Sequence, residues 1–98
     1  MNAITKVSEI TVDDIADYLR LDADDDQNLL NNLLRVSKAF IQGYTGLTSE
    51  QLDDHEDFVI VVFVLCQDMY DNRTLYVDNS NLNKVVDTIL GMHRVNLL

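Results

Sequence analysis

Nine consecutive apolar residues, from Phe58 to Cys66, constrain the fold of this chain more than any other feature. Valine, isoleucine and phenylalanine favour sheets, so a buried strand is one interpretation of this run. The alternative is a helix, because Met69 and Tyr70 continue the apolar positions at helical spacing and four acidic residues just before the run suit a helix N-terminus. We favour the helix. Because it is apolar on all sides, it needs cover from three neighbouring helices, or from two helices and another subunit.

The same run is too short to cross a membrane, because a helix of this length rises about 14 Å against about 30 Å of bilayer hydrocarbon. The first ten residues lack the basic start and long apolar stretch of a secretory signal. The 98 residues suffice for one domain with a small core. We therefore expect a single domain over 1–98, made in the cytoplasm and without a membrane partner, which gains stability by packing against another subunit.

The chain has no proline and only three glycines, which favours an all-α fold, a small bundle of four to five helices. Thr11 is predicted to cap the first helix, and Asp24 the second. The first helix presents Val12, Ile15, Ala16 and Leu19 on one face. The second has a stripe of Leu30, Leu33, Leu34, Ser37 and Ile41, and is expected to end within 43–46, where glycine can adopt the left-handed conformation.

The second half of the chain leaves the helix starts less certain. Either one helix runs from 49 to about 72, or a short turn capped by Thr48 leads into a helix that starts at Asp53 or Asp54. Asn79 or Ser80 is predicted to cap a last helix, which Gly91 ends. Its expected inner face is Leu82, Val85, Val86 and Ile89. Residues 92–98 then form an apolar and basic tail beyond a core of 8–91.

Seventeen acidic residues against seven basic ones give a formal net charge of -10. Such a surface repels phosphate, so direct and tight binding of nucleic acid is not expected. Cys66 is interpreted as a small buried hydrophobe. His55 and His93 have no sequence neighbours that would complete a catalytic or zinc site. These features predict neither an enzyme nor a cofactor.

Two local motifs resemble known sites but lack key positions. The run Asp22 to Asp26 places carboxylates at the first, third and fifth positions of a calcium loop. Gln27 and Leu33, however, stand where glycine and a bidentate glutamate belong. We interpret the run as an acidic helix start. The sequence around Ser80 breaks the Asp-Ser-Leu triplet of an acyl carrier.

The most distinctive polar group follows the apolar run and consists of Tyr70, Asp71, Asn72 and Arg73. In one interpretation, Asn72 and Arg73 cap the last carbonyls of the helix and the tyrosine ring covers its apolar side. In the other, Arg73 is a planar bidentate donor to a carboxylate on an adjacent subunit. The sequence does not choose between them.

The order of segments carries a resemblance. Tyr18-Leu19-Arg20-Leu21-Asp22 and Asp24-Asp25-Asp26 precede a leucine-rich helix ending in Tyr44-Thr45-Gly46, then the apolar helix closing on 70–73, then a short amphipathic helix and a basic tail. Over about residues 8 to 97, this arrangement resembles the small head-tail connector proteins of long-tailed bacteriophages, also labelled head-completion, adaptor or DNA-packaging proteins. Such proteins often have proline in the loops that flank the apolar helix, and this chain has none.

The resemblance implies a structural role without chemistry, metal or cofactor. Family members form a ring on the portal vertex of the filled capsid, to which the next neck or tail-completion protein attaches. DNA passes through the ring without being read. The protein would then reside in the virion at the head-tail interface, and in the host cytoplasm before assembly.

Two sets of residues are candidates for these contacts. Tyr70, Asp71, Asn72 and Arg73 are expected at the interface between subunits. The tail is expected to dock on the portal by strand addition or groove filling, through His93, Arg94, Val95, Asn96, Leu97 and Leu98. Twelve subunits, matching the portal, would together carry about -120 charges, so that DNA slides past a repelling lumen.

Two other functions compete with the connector. An acidic inhibitor that mimics DNA would use the same negative charge to occupy the basic groove of a host protein. Its affinity would collapse with salt, whereas a connector forms rings or needs the portal to do so. A helical regulatory module without a phage role is the third alternative.

Overall fold

The computed structural model describes residues 4–21, 27–77 and 82–93, and every regular element within these ranges is helical. A short 3-10 turn, Val7–Glu9, precedes five α-helices. These are α1 Val12–Leu19, α2 Gln27–Thr45, α3 Ser49–Leu52, α4 Asp57–Asn72 and α5 Lys84–His93. The predicted all-α class and helix number are confirmed for this part of the chain. The predicted caps Asp24, Asn79 and Ser80 lie outside the described residues.

The apolar run forms the first half of α4, so the helix interpretation is confirmed. Helix α4 lies at the centre of the bundle and contacts α1, α2, α5 and the 3-10 turn. Its most deeply buried side chains, at most 1% exposed, are Phe58, Val61, Val62, Leu65 and Cys66. Burial of this face against several helices outweighs the small intrinsic preference of valine and isoleucine for strands.

Capping boxes begin α1 and α3 where the sequence predicts. The Thr11 hydroxyl accepts the Asp14 N–H at 3.2 Å, and the Asp14 carboxylate accepts the Thr11 N–H at 2.8 Å. Thr48 and Gln51 form the same reciprocal pair at 3.2 and 2.9 Å. Each cap stabilises its helix by about 1 kcal/mol, because it satisfies N–H groups that the helix itself leaves without acceptors.

The connection 53–56 separates α3 from α4, so a short turn precedes the long helix and a continuous helix from 49 to 72 is excluded. The prediction that Asp53 or Asp54 starts α4 is wrong, because the helix begins at Asp57 after Glu56. The Asp53 carboxylate instead accepts the Ser8 N–H at 2.9 Å and ties the N-terminal turn to this connection. Hydrogen bonds from the side chain and the backbone of Ser8 lower the pKa of Asp53.

Helix α2 buries its predicted stripe and ends where expected. Leu30, Leu33, Ser37 and Ile41 face the core, whereas Leu34 is only partly buried. After Thr45 the chain turns at Gly46, whose φ of 78° lies in the left-handed region and whose N–H donates to the Gln42 carbonyl at 2.9 Å. A residue with a side chain is strained in that conformation, which explains the glycine.

Two predictions for α5 are wrong. Val85 was expected inside, but it is 54% exposed, and the buried residues are Val86 and Leu90. Adjacent helical residues are rotated by about 100°, so a helix that buries Val86 turns Val85 towards solvent. Gly91 was expected to end the helix, but it does not take a positive φ and α5 continues to His93.

Candidate assembly surfaces

The end of α4 carries the predicted interface residues on the surface. Asp71, Asn72 and Arg73 are exposed, and Tyr70 is half-buried against the core. Arg73 has a φ of 55°, in the left-handed region, and its N–H donates to the Tyr70 carbonyl at 3.2 Å. The next N–H, that of Thr74, donates to the Met69 carbonyl at 2.9 Å. These two bonds close the helix in a Schellman motif, usually built on glycine.

The side chains at this end have distinct partners. The Asn72 amide donates to the Asp68 carbonyl at 2.8 Å, and the Gln67 amide donates to the Asp71 carboxylate at 2.8 Å. Arg73 closes the helix through its backbone, and its guanidinium has no hydrogen bond or ion pair to the described residues. The capping interpretation therefore holds for Asn72 and for the Arg73 backbone, and it leaves the cation available.

Two carboxylates, those of Asp68 and Asp71, repel each other near the end of α4. Burial raises the pKa of the Asp68 carboxyl, and the nearby negative charge of Asp71 raises it further. A cation placed beside these two carboxylates from outside would relieve that repulsion. The Asp68 and Asp71 carboxylates are thus suited to a cation or hydrogen-bond donor of a neighbour, whereas the Arg73 guanidinium in the next turn is suited to a neighbour's carboxylate.

Tyr70, Asp71 and Arg73 line one side of an open groove of about 630 Å³, which we call the α4 groove. The remaining lining residues are Leu29 and Leu33 from α2, then Met69, Thr74 and Leu75. Its floor is apolar, and Leu75 at its edge is 49% exposed. The sequence predicted the residues from α4 but not those from α2, because nothing in residue spacing shows which ends of the two helices meet.

A second apolar surface runs along the outer side of α4 and is called here the α4 outer stripe. It consists of Ile60, Phe63 and Val64, three residues on one helix face. Ile60 is 53% exposed, and the other two are partly buried. The Phe63 ring packs against Tyr18 of α1, with centroids 5.1 Å apart. The neighbouring helices therefore cover α4 only partly.

The predicted docking residues begin with His93, which the structure places in α5 and not in a free tail. Its Nε2 lies 2.9 Å from Oδ2 of Asp57. Its ring packs on His55 and Phe58, with centroid distances of 4.1 and 5.0 Å. Arg94, Val95, Asn96, Leu97 and Leu98 lie outside the described residues. His93 thus anchors the end of α5 to the start of α4.

Cys66 is a core residue, as predicted. It is fully buried, and its Sγ lies 3.2 Å from the Ser37 hydroxyl. Because that hydroxyl donates to the Leu33 carbonyl at 2.8 Å, the thiol is the donor to Ser37. Burial raises the pKa of Cys66 to about 11. A neutral, enclosed thiol of this kind is not a nucleophile.

None of the helices in the described ranges is long and apolar enough to cross a membrane.

Comparison with known protein families finds a match that covers most of the chain. The family model of the phage gp6-like head-tail connector protein matches residues 9–91. The matched range contains the α4 groove and the α4 outer stripe, and it ends before His93. No curated protein and no solved structure matches the chain significantly.

Proposed function

The chain belongs to the phage gp6-like head-tail connector family, a family of structural phage proteins, and we propose that it forms a ring at the neck of the virion. In this proposal twelve copies sit between the portal and the next neck or tail-completion protein, and DNA passes through the ring. The protein performs no chemistry there. Its surfaces instead hold copies together and connect the capsid to the tail.

The contact between copies is assigned to the two apolar surfaces of α4. The α4 outer stripe exposes Ile60 beside Phe63, and the α4 groove presents Leu29 and Leu75 at one end of the bundle. Full burial of an aliphatic side chain contributes about 1.5 to 3 kcal/mol, so covering the exposed half of Ile60 or Leu75 contributes roughly half of that. In a ring, each copy contacts the next one head to tail through two different surface patches. The α4 outer stripe and the α4 groove are two such patches, so they suit closure into a ring.

The observation that carries this assignment is the Arg73 guanidinium, which stands at the wall of the α4 groove without a partner among the described residues. A neighbouring copy offers many carboxylates, because the chain has seventeen acidic residues. A bidentate pair between Arg73 and one of them would add about 1.5 to 3 kcal/mol and fix the orientation of the two copies.

The negative charge suits the lumen of such a ring. Each copy carries -10, so twelve copies carry about -120. A protein that grips DNA uses lysine and arginine to neutralise phosphates, and this composition does the opposite. Repulsion keeps the passing duplex from adhering to the wall. The sequence of the DNA is then irrelevant to passage.

Docking on the portal is assigned to the tail because it is the apolar and basic end of an otherwise acidic chain. The contact of His93 with Asp57 holds the last described residue of α5 against the start of α4. A deletion that tests docking must therefore begin at Arg94 and keep Met92 and His93, because removing His93 would also remove a contact that holds α5. The deletion of 94–98 is expected to leave a folded domain that no longer binds the portal.

The decisive comparison uses Arg73→Gln, with Arg20→Gln as the matched control. Arg20 also ends its helix with a positive φ, of 61°, and it does not line the α4 groove. Each variant is mixed with portal rings, and the bound copies are counted by mass photometry. Wild type and the control are expected to fill the ring, and Arg73→Gln to leave it incomplete.

Equal filling by all three proteins would remove Arg73 from the interface. A wild-type protein that ignores the portal but binds a basic host protein, with an affinity that collapses with salt, would instead identify an inhibitor that mimics DNA. That alternative uses the same net charge of -10. It gives no role to the α4 groove.

A further inference from the structure

Three potential metal ligands, His55, Asp57 and His93, meet at the junction of α4 and α5. Asp57 and His93 are 36 residues apart in the chain, and His93 Nε2 lies 2.9 Å from Asp57 Oδ2. The His55 ring lies against the His93 ring, with centroids 4.1 Å apart. One ligand atom from each of the three residues lies within 4.8 Å of the other two. All three side chains are half-buried.

These distances are close to those of a metal site. Zinc binds histidine nitrogen and carboxylate oxygen at about 2.0 to 2.2 Å, so tetrahedral ligand atoms are about 3.3 Å from one another. The contact between His93 and Asp57, at 2.9 Å, is slightly shorter than that edge, and no two of the three ligand atoms are more than 4.8 Å apart. The imidazole rings would open from 4.1 Å to about 5 Å to share one ion. His55 can make this movement because it lies in the connection 53–56, outside any helix.

The apolar wall of Phe58 and the negative charge of the chain favour the ion, and the helix dipoles nearly cancel. Phe58 packs on both histidines, with centroid distances of 5.2 Å to His55 and 5.0 Å to His93, and forms an apolar wall behind them. Asp57 begins α4, whose N-terminus disfavours a cation, but His93 ends α5, whose C-terminus favours one, so the two helix dipoles largely offset each other. The net charge of -10 raises the local concentration of cations.

We propose that His55, Asp57 and His93 bind one divalent transition-metal ion, best matched by Zn²⁺. Two imidazoles and one carboxylate are typical ligands of zinc, whereas Mg²⁺ and Ca²⁺ prefer oxygen. Three protein ligands leave a fourth position for water or for a group from another molecule. The ion replaces the direct bond between Asp57 and His93 and clamps the end of α5 to the start of α4. This inference does not depend on ring formation.

No pattern in the sequence indicates this cluster. Its spacing, one residue between His55 and Asp57 and a distant His93, matches no metal-binding motif. Only the antiparallel packing of α5 on α4 brings the end of one helix to the start of the other.

The experiment titrates the full chain, freed of metal with a chelator, with ZnCl₂ in a calorimeter. Wild type is expected to bind one Zn²⁺ per chain. His55→Phe keeps a ring against Phe58 and His93, and it is expected to weaken binding at least ~10-fold because one ligand is lost. Asp57→Asn is expected to do the same. Asp54→Asn removes an exposed carboxylate of the same connection and is the control, with unchanged affinity.

Absence of saturable binding in wild type would overturn the proposal. So would binding that His55→Phe and Asp57→Asn leave intact, because the ion would then be held elsewhere, for example by the acidic run Asp22 to Asp26. If a variant does not fold, nitrogen-detected NMR of the wild-type histidines decides. Signals of His55 and His93 must shift together at one equivalent of Zn²⁺ and stay unmoved by excess Mg²⁺; any other pattern rejects the site.

Discussion

Replacing Arg73 by glycine should make the protein more stable and less able to assemble. Arg73 ends α4 with a φ of 55°, in the left-handed region. That conformation costs a residue with a Cβ roughly 1 to 2 kcal/mol, and glycine avoids it. Glycine also gains about 0.5 to 1 kcal/mol of unfolded-chain entropy, which works against the substitution. The guanidinium makes no hydrogen bond or ion pair to the described residues, so the substitution removes no such interaction there.

The net expectation is a gain between about 0 and 1.5 kcal/mol in the free energy of unfolding, centred on about 0.5 to 1 kcal/mol. For a domain of this size it raises the melting temperature by about 2 to 8 °C. Thermal unfolding followed by circular dichroism measures the shift. Arg20→Gly is the matched control, because Arg20 has a φ of 61° at the end of α1. It should gain similar stability and retain assembly on portal rings, whereas Arg73→Gly should lose assembly.

A lower melting temperature for Arg73→Gly would refute this reasoning, because it would mean that the guanidinium already stabilises the free subunit. Higher stability together with full assembly would refute the interface role alone. The opposite signs expected for stability and assembly are the signature of a residue kept for binding at the expense of folding.

Three further predictions concern the bundle itself. Gly43→Ala should raise the free energy of unfolding by about 0.5 to 1 kcal/mol in urea titrations, because Gly43 lies within α2 and an added Cβ meets no atom within 4 Å; a loss of stability would contradict the open space. Asp53→Asn should melt below wild type at pH 7, because hydrogen bonds from Ser8 lower the pKa of Asp53 and so favour its charged form in the folded protein. The difference in melting temperature should vanish as the pH falls below 3.8, the pKa of this carboxyl in the unfolded chain. A difference that persists in acid would show that charge is not the cause. Cys66 should react with a thiol reagent at least ~1,000-fold more slowly in native protein than in urea, because it is buried with a pKa of about 11; fast native labelling would mean that α4 is not enclosed.

Local signals allowed much of the fold to be predicted. The capping boxes at Thr11 and Thr48 each span only four consecutive residues. Gly46 stands directly after α2, at the position where the chain takes a left-handed turn. The register of α5 was harder. Val85 and Val86 are equally apolar, and only the packing of α5 against α4 decides that Val86 is inside. Gly91 stays helical because no turn is required there.

The candidate surfaces were only half predictable. Tyr70 to Arg73 stood out because polar residues follow a long apolar run; Tyr70, Asp71 and Arg73 line the α4 groove, whereas Asn72 does not. The contribution of Leu29 and Leu33 depends on how α2 lies against α4. The cluster of His55, Asp57 and His93 depends in the same way on α5. Residues that meet only through tertiary packing leave no trace in local spacing.

The most direct test of the connector function is electron microscopy of portal rings mixed with the purified protein. A second ring of twelve copies is expected, with Arg73 of each copy against a carboxylate of its neighbour and an acidic lumen wide enough for duplex DNA. Portal rings that remain bare, or copies joined through surfaces that leave the α4 groove and Arg73 in solvent, would contradict it.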